Sequence, residues 1–323
     1  VTALHVANGH ATTGLIELAG VPGRTMVWCD PLHDGPVPGG VPDEELVRVR
    51  ARFLASPDED AEGVAADLRD WRTQIDQQHY DELVLWYEHD LFDQLNLIQL
   101  LTHLGGVSLA RPITLVAVDA YAGRAGFKGI GQLEPRDVAA LFEMRRPITE
   151  AQLALAARAW DAFRADDPRQ IEALLAAGTP ALPFLSHALQ RHLEEFPSTA
   201  NGLSRSEQRL MEQAADGPVE MREAWPRLVE GERWFFLTDT AFADRLKALA
   251  ASVPALLTVH DAAPDPRSMT AGSFELTGAG RDVLAGAADR VRLCGIDRWL
   301  GGVHLHGRGP LWRWNGAHLL RSE

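Results

Sequence analysis

Over the first 120 residues, short apolar runs alternate with longer stretches of helical character. Leu4-His-Val-Ala7, Arg24-Thr-Met-Val-Trp-Cys29, Glu82-Leu-Val-Leu-Trp-Tyr87 and Ile113-Thr-Leu-Val-Ala-Val118 read as strands. The third is almost wholly apolar, as expected of a strand covered on both faces. Helices are predicted between them at about 11–20, 43–55, 58–77 and 91–104. Gly20 and Pro22-Gly23 stop the first helix. Asp90 can cap the helix that starts at 91, and Asp93 supports its first turn. The stretch Asp30–Pro38 is too rich in Pro and Gly to be regular. Strands separated by helices predict a parallel, Rossmann-like sheet with right-handed crossovers.

From 129 to about 196 the pattern is helical. Thr149-Glu-Ala-Gln152 has capping-box form, and Leu153, Ala156, Ala157, Trp160 and Phe163 follow at helical spacing. A boundary falls at Pro197–Gly202. Ser204-Arg-Ser-Glu207 opens a helix to about 215, followed by helices at 219–230 and 239–251. Ala255–Val259 and Ser273–Thr277 then form a hairpin, and Gly280–Leu284 a further helix. Three helices and a hairpin in this order are winged-helix-like. The tail from Gly301 reads as a β-meander, with Asn315-Gly316 as a type I′ turn. The predicted organisation is a Rossmann-like α/β domain at 1–128, a helical region at 129–200, and a winged-helix-like α+β domain with a C-terminal meander at 201–323.

Composition narrows the class. A chain of 323 residues is long for one compact domain, and 46% hydrophobic residues suffice for more than one core. No window approaches the roughly 18–20 apolar residues of a membrane span. The N-terminus enters a strand with no basic or apolar leader pattern. A cytoplasmic protein with no membrane partner is expected. The two cysteines, Cys29 and Cys294, have neither disulfide-framework nor zinc-ligand spacing. A net charge of −14 repels phosphate backbones, so nucleic acid is not the expected partner unless a local basic surface binds it.

In an open parallel sheet, ligands sit outside the carboxyl ends of the strands. Here those ends are polar. The first offers Asn8, Gly9 and His10, with Thr12 and Thr13 at the next helix start. The second offers Asp30, His33 and Asp34, the third Glu88, His89 and Asp90, and the fourth Asp119 and Tyr121. His33, Glu88, His89 and Asp119 suit acid–base chemistry, or a divalent metal held by the carboxylates. Asn8, Gly9, Asp30, Asp34 and Lys128 are the candidates for binding a small polar or anionic ligand, with a phosphate at the helix N-terminus after Asn8-Gly9. Taken singly, each has a plain structural account: Asp90 as a cap, Asp30 as a turn former. No G-x-G-x-x-G or P-loop is present. Cys29 near His33 or His89 could form a nucleophile pair, although a buried thiol explains it as well.

The C-terminal part is ambiguous. The third helix of the winged-helix pattern carries Asp239, Asp244, Arg245 and Lys247, which cancel, and its wing carries Asp261 and Asp265 against Arg267. A DNA reader should be basic there. In the tail, Arg290, Arg292, Arg298, Arg308, Arg313 and Arg321 interleave with Trp299, Trp312 and Trp314. Such a pattern can hold single-stranded nucleic acid or an anion, or pair with the acidic body of the protein. His304 and His306 share one strand face, but two histidines do not make a metal site.

Several motifs together resemble a known family. They are Leu4-His-x-x-Asn-Gly9, Asp30-x-Leu-His-x-Gly-Pro36, Leu85-Trp-x-Glu-His-Asp-x-Phe-x-Gln94, Phe127-Lys-Gly-x-Gly-Gln132, Arg145-Arg-Pro-x-Thr149, Glu195-Phe-Pro-Ser-x-x-Asn-Gly-Leu-Ser204 and Gly295-Ile-Asp-Arg-Trp-Leu-Gly-Gly-Val-His304. They cover nearly the whole chain and resemble the bacterial family called domain of unknown function eighteen-thirty-five. The resemblance implies a bacterial intracellular protein and no particular activity. Members often carry Asp where His10 stands here. Two functions remain open: a hydrolase or transferase acting on a small, phosphorylated or nucleotide-like molecule, and a ligand-sensing regulator or adaptor whose winged-helix part binds DNA or a protein.

Overall fold

The computed structural model describes residues 2–56, 58–107, 111–234, 236–260 and 272–322. The first part of the chain runs β1 (Ala3–Ala7), α1 (His10–Leu18), β2 (Gly23–Val27), α2 (Asp43–Leu54), α3 (Ala61–Asp76), β3 (Glu82–Glu88), α4 (Leu91–Gly106) and β4 (Ile113–Val118). After a 3-10 turn at Ile130–Gln132 come α5 (Pro135–Glu143), β5 (Arg146–Pro147), α6 (Glu150–Arg164), α7 (Arg169–Ala177) and α8 (Leu185–Leu193). The rest is α9 (Arg205–Gln213), β6 (Val219–Glu220), α10 (Met221–Glu230), α11 (Asp239–Ala251), β7 (Leu257–His260), β8 (Ser273–Leu276), α12 (Gly278–Leu284), α13 (Arg290–Cys294), β9 (Ile296–Leu300), β10 (Val303–Gly307), β11 (Trp312–Trp314) and β12 (Leu319–Arg321). Asp261, Asp265 and Arg267, expected from the sequence to form a wing, lie outside the described residues.

Two compact units emerge. The first comprises Val1–Leu189 with Gly301–Val303; the second comprises Gln190–Leu300 with His304–Glu323. The first is built on a five-stranded sheet in the order β2-β1-β3-β4-β5. The first four strands are mutually parallel, and the two-residue β5 closes the edge antiparallel to β4. The arrangement is Rossmann-like. Ala3, Ala7, Val84, Trp86, Val116 and Val118 pack into one core with Ile16 of α1 and Val138 and Leu141 of α5. The alternating Leu4, Val6, Leu83, Leu85 and Leu115 are also buried, on the opposite face. Because both faces are covered, β3 is buried from end to end.

β1 lies between β2 and β3, so the chain reverses its direction of travel across the sheet there. That makes the gap between the carboxyl ends of β1 and β3 the topological switch point, where such sheets leave a crevice. His5, in the middle of β1, links the neighbouring strands. Its Nδ1 accepts from the Trp86 indole N–H at 3.1 Å, and its Nε2 lies 3.3 Å from the Pro22 carbonyl.

In the second unit, Leu203, Leu210, Met211, Phe242, Leu246, Phe274 and Leu276 form the core. β6, β8 and β7 make a small antiparallel sheet in that order. The tail departs from a single meander: β9–β10 and β11–β12 are separate two-stranded sheets. The last turn also differs. Trp314 pairs with Leu319, and Asn315 flanks the turn, its side-chain oxygen accepting from the Ala317 and His318 N–H groups. The Asn side chain can satisfy the turn's own backbone, so it stands beside the central pair instead of within it.

Three of the six tail arginines that interleave with tryptophan are paired with carboxylates. Arg298 reaches Glu195 at 2.8 Å, Arg290 reaches Glu207 at 3.3 Å and Arg313 reaches Asp289 at 3.0 Å. Glu195 sits at the centre of a buried network. Its Oε1 accepts from Arg191 at 2.7 Å and from the hydroxyl of Ser206, and Arg191 in turn holds Glu232.

Candidate functional site

At the switch point, three carboxyl residues lie within six positions of the chain. Glu88 ends β3, Asp90 is the N-cap of α4, and Asp93 lies in its first turn. Asp90 Oδ1 accepts the Asp93 N–H at 2.9 Å, which is the capping bond expected from the sequence. Asp93 does more than support the first turn. It is fully buried, and its two oxygens accept from the Asn8 side-chain amide and the Glu88 backbone N–H. It therefore ties the end of β1 to the end of β3. Asn8 Oδ1 accepts from Thr12 at 3.3 Å, carrying the link into α1.

The buried Glu88 side chain is held by the segment beyond β4. The Ile130 N–H donates to Glu88 Oε1 at 2.6 Å. A Cβ on Gly129 would overlap the Glu88 carboxylate, so Gly129 is what lets the backbone come this close. Gln94 Nε2 donates to the Glu88 carbonyl at 2.6 Å.

Burial sets the electrostatics. It pushes the Glu88 carboxyl up to about 8, helped by Asp90 and opposed by the Ile130 N–H. Burial also raises Asp90, to about 6, and the Asp93 and Phe92 N–H groups and His89 limit the rise. Asp93 is held well above the carboxylate range by burial and then by its two acidic neighbours. Three such groups cannot all ionise together in a dry site. A proton, or an incoming cation, must balance them.

The other candidates divide. His33 is buried with its ring 5.7 Å from Phe92 of α4, and buried His89 meets Phe184 edge-on at 6.4 Å. Both stand at the same end of the sheet as Glu88. Gly9 has nothing within 4 Å of a Cβ position, so the start of α1 is open on that side. Asp119 and Lys128 are half-buried beyond β4, and the Lys128 N–H donates to Gln132.

Asp30 and Asp34 are instead drawn to Arg50 of α2. Arg50 is buried and spans both Asp30 oxygens, at 2.6 Å for the shortest bond, and it also binds the Asp34 carbonyl at 2.7 Å. This pair holds the Pro- and Gly-rich loop that carries His33. Burial and then Asp30 push the Cys29 thiol up to about 11, which disfavours the thiolate that a nucleophile needs.

Sequence reasoning underrated Asp93 and missed Ile130. An Asp three residues after a capping Asp looks like ordinary first-turn charge. The signal that could have found it was the amide-bearing Asn8 at a neighbouring strand end. No protein-family model matches this chain, and a comparison with curated proteins finds no match.

Proposed function

We propose that the first unit is an enzyme that moves a proton on a small polar, anionic substrate of phosphorylated or nucleotide-like chemistry. One observation carries the reading. Glu88 is a buried carboxyl at the switch point, shifted close to neutral pH and fixed by a backbone N–H. A group so poised can donate a proton to a leaving or carbonyl oxygen and later take it back. Burial, and then Asp90, keep its affinity for the proton high. The open start of α1 beside Asn8-Gly9 suits an anion, with Lys128 as a nearby positive charge.

The test is binding of nucleoside phosphates and sugar phosphates, followed by thermal shift and calorimetry on the parent and Glu88→Gln. A ligand that stabilises the parent and loses about tenfold or more in affinity in the variant supports the site, since one tenfold step is about 1.4 kcal/mol. Equal binding to both removes Glu88 from it.

A regulator or adaptor is the second reading, and the second unit favours it. The order α9, β6, α10, α11, β7, β8, with β6 paired on β8, supports a winged helix. Its third helix argues against DNA. Arg245 is buried, which leaves Asp239, Asp244 and Lys247 exposed, with Lys247 3.3 Å from Asp244. Fluorescence anisotropy with duplex DNA at physiological salt is expected to give no saturation below about 10 µM, within the range of purely non-specific contact. Tighter, sequence-dependent binding would restore the DNA-reading role.

A further inference from the structure

The β9–β10 hairpin carries a cluster that the sheet-edge chemistry does not use. Asp297 and Trp299 alternate on β9, and His304 and His306 alternate on β10, so each pair lies on one face of its strand. The short connection Gly301-Gly302 brings the pairs together. Trp299 stacks on His304 with centroids 4.4 Å apart and planes 2° apart. Asp297 Oδ1 is 2.7 Å from His304 Nε2, and Oδ2 is 3.4 Å from His306 Nδ1. One ligand atom from each of the three side chains lies within 4.8 Å of the others, and among the described residues no other trio of His, Cys, Asp or Glu converges this closely.

We propose that Asp297, His304 and His306 form a surface site for a divalent first-row transition ion of the zinc and copper class. Two imidazole nitrogens and one carboxylate oxygen suit Zn2+, Ni2+ or Cu2+, whereas Mg2+ and Ca2+ take oxygen donors. Metal–ligand bonds of about 2.0–2.2 Å call for ligand atoms roughly 3.3–3.5 Å apart. Asp297 Oδ2 and His306 Nδ1 are already at 3.4 Å, and Asp297 Oδ1, the other carboxylate oxygen, needs to open from 2.7 Å to His304 Nε2. Small side-chain rotations accomplish this, because all three residues are exposed and the His–Asp contacts are surface pairs, which bind weakly. The stacked Trp299 fixes the plane of His304, so one ligand is already oriented. Three protein ligands leave a coordination position open to solvent or to a partner's side chain.

The test is calorimetry of Zn2+ and Cu2+ into the full chain near neutral pH, with Glu88→Gln as a control for the sheet-edge carboxylates. One equivalent should bind, Cu2+ more tightly than Zn2+, with Cu2+ quenching tryptophan emission through Trp299. The double variant His304→Ala/His306→Ala should lose about 100-fold in affinity and Asp297→Asn about tenfold, while Glu88→Gln keeps the site. These positions are exposed, so the variants should melt with the parent. Unchanged stoichiometry and affinity in the double variant, or no binding at about 100 µM free ion, would overturn the assignment and leave only a surface His–Asp pair.

Discussion

Glu195→Leu is expected to lower the stability of the second unit by about 3–5 kcal/mol, the usual cost of removing one member of a buried ion pair. The variant leaves Arg191 buried and Arg298 nearly so, without the carboxylate they share. The Ser206 N–H and hydroxyl lose the same acceptor. The contrast is the exposed pair Arg227–Glu223, where Glu223→Ala should cost about 0–1 kcal/mol. Urea unfolding of both variants decides the matter, and equal costs would mean that the network is decorative. Acid should act in the same direction. Burial alone would raise the Glu195 carboxyl, but Arg191, Arg298 and Arg245 outweigh it and hold it well below the usual range. A depressed carboxylate stabilises the fold above its unfolded value, about 4.3, and that stability is lost as pH falls through the lower folded value.

The sheet edge should respond with the opposite sign. Glu88 has a folded value of about 8 against about 4.3 unfolded, so the native state binds its proton more tightly. Its contribution is fully present below about 4.3 and is lost as pH rises through 8. The first unit should therefore be more stable at pH 5 than at pH 9. Glu88→Gln keeps an oxygen for the Ile130 N–H and removes the ionisation, so it should flatten that slope and gain on the order of 2–4 kcal/mol over the parent at pH 9. Asp90, raised to about 6, and Asp93, held well above the carboxylate range, leave a residual slope of the same sign. Denaturant unfolding across this pH range is the measurement. Parallel profiles for parent and variant would show that Glu88 ionises without penalty, and the proton-donor reading would lose its basis.

Much of the fold was legible because β1 to β4 and their helices are set by local pattern. Ile113–Val118 matched to the residue, and α11 matched as 239–251. The two-residue strands β5 and β6 were not legible, since they exist only through pairing with β4 and β8. The position of the candidate site followed from the strand-end rule, but its wiring did not. Nothing local distinguishes Asp30 on Arg50 from a turn former, or half-buried Arg298 from a basic surface residue. In each case the deciding partner is far away in sequence, and burial determines whether the charge meets water or another charge. Asp93 shows the same limit, because its partner Asn8 lies just past β1, 85 residues away.

The first unit also has an unusual order of assembly. Gly301–Val303 belongs to it, although all its other residues lie within the first 189. The Gly301 carbonyl accepts from the Val37 N–H at 3.0 Å, and the Gly302 N–H donates to the Phe163 carbonyl at 3.1 Å. Gly301 takes a left-handed φ of +60°, and a Cβ on either glycine would strike backbone at Phe163 or Arg164. On the ribosome, a chain emerging at about 5–20 residues per second usually finishes its N-terminal domain first. Here that domain lacks its last contacts until the tail has been made. A fragment cut at 189 would consequently be missing part of its own fold, and the loop that carries His33 would be the region closest to the gap.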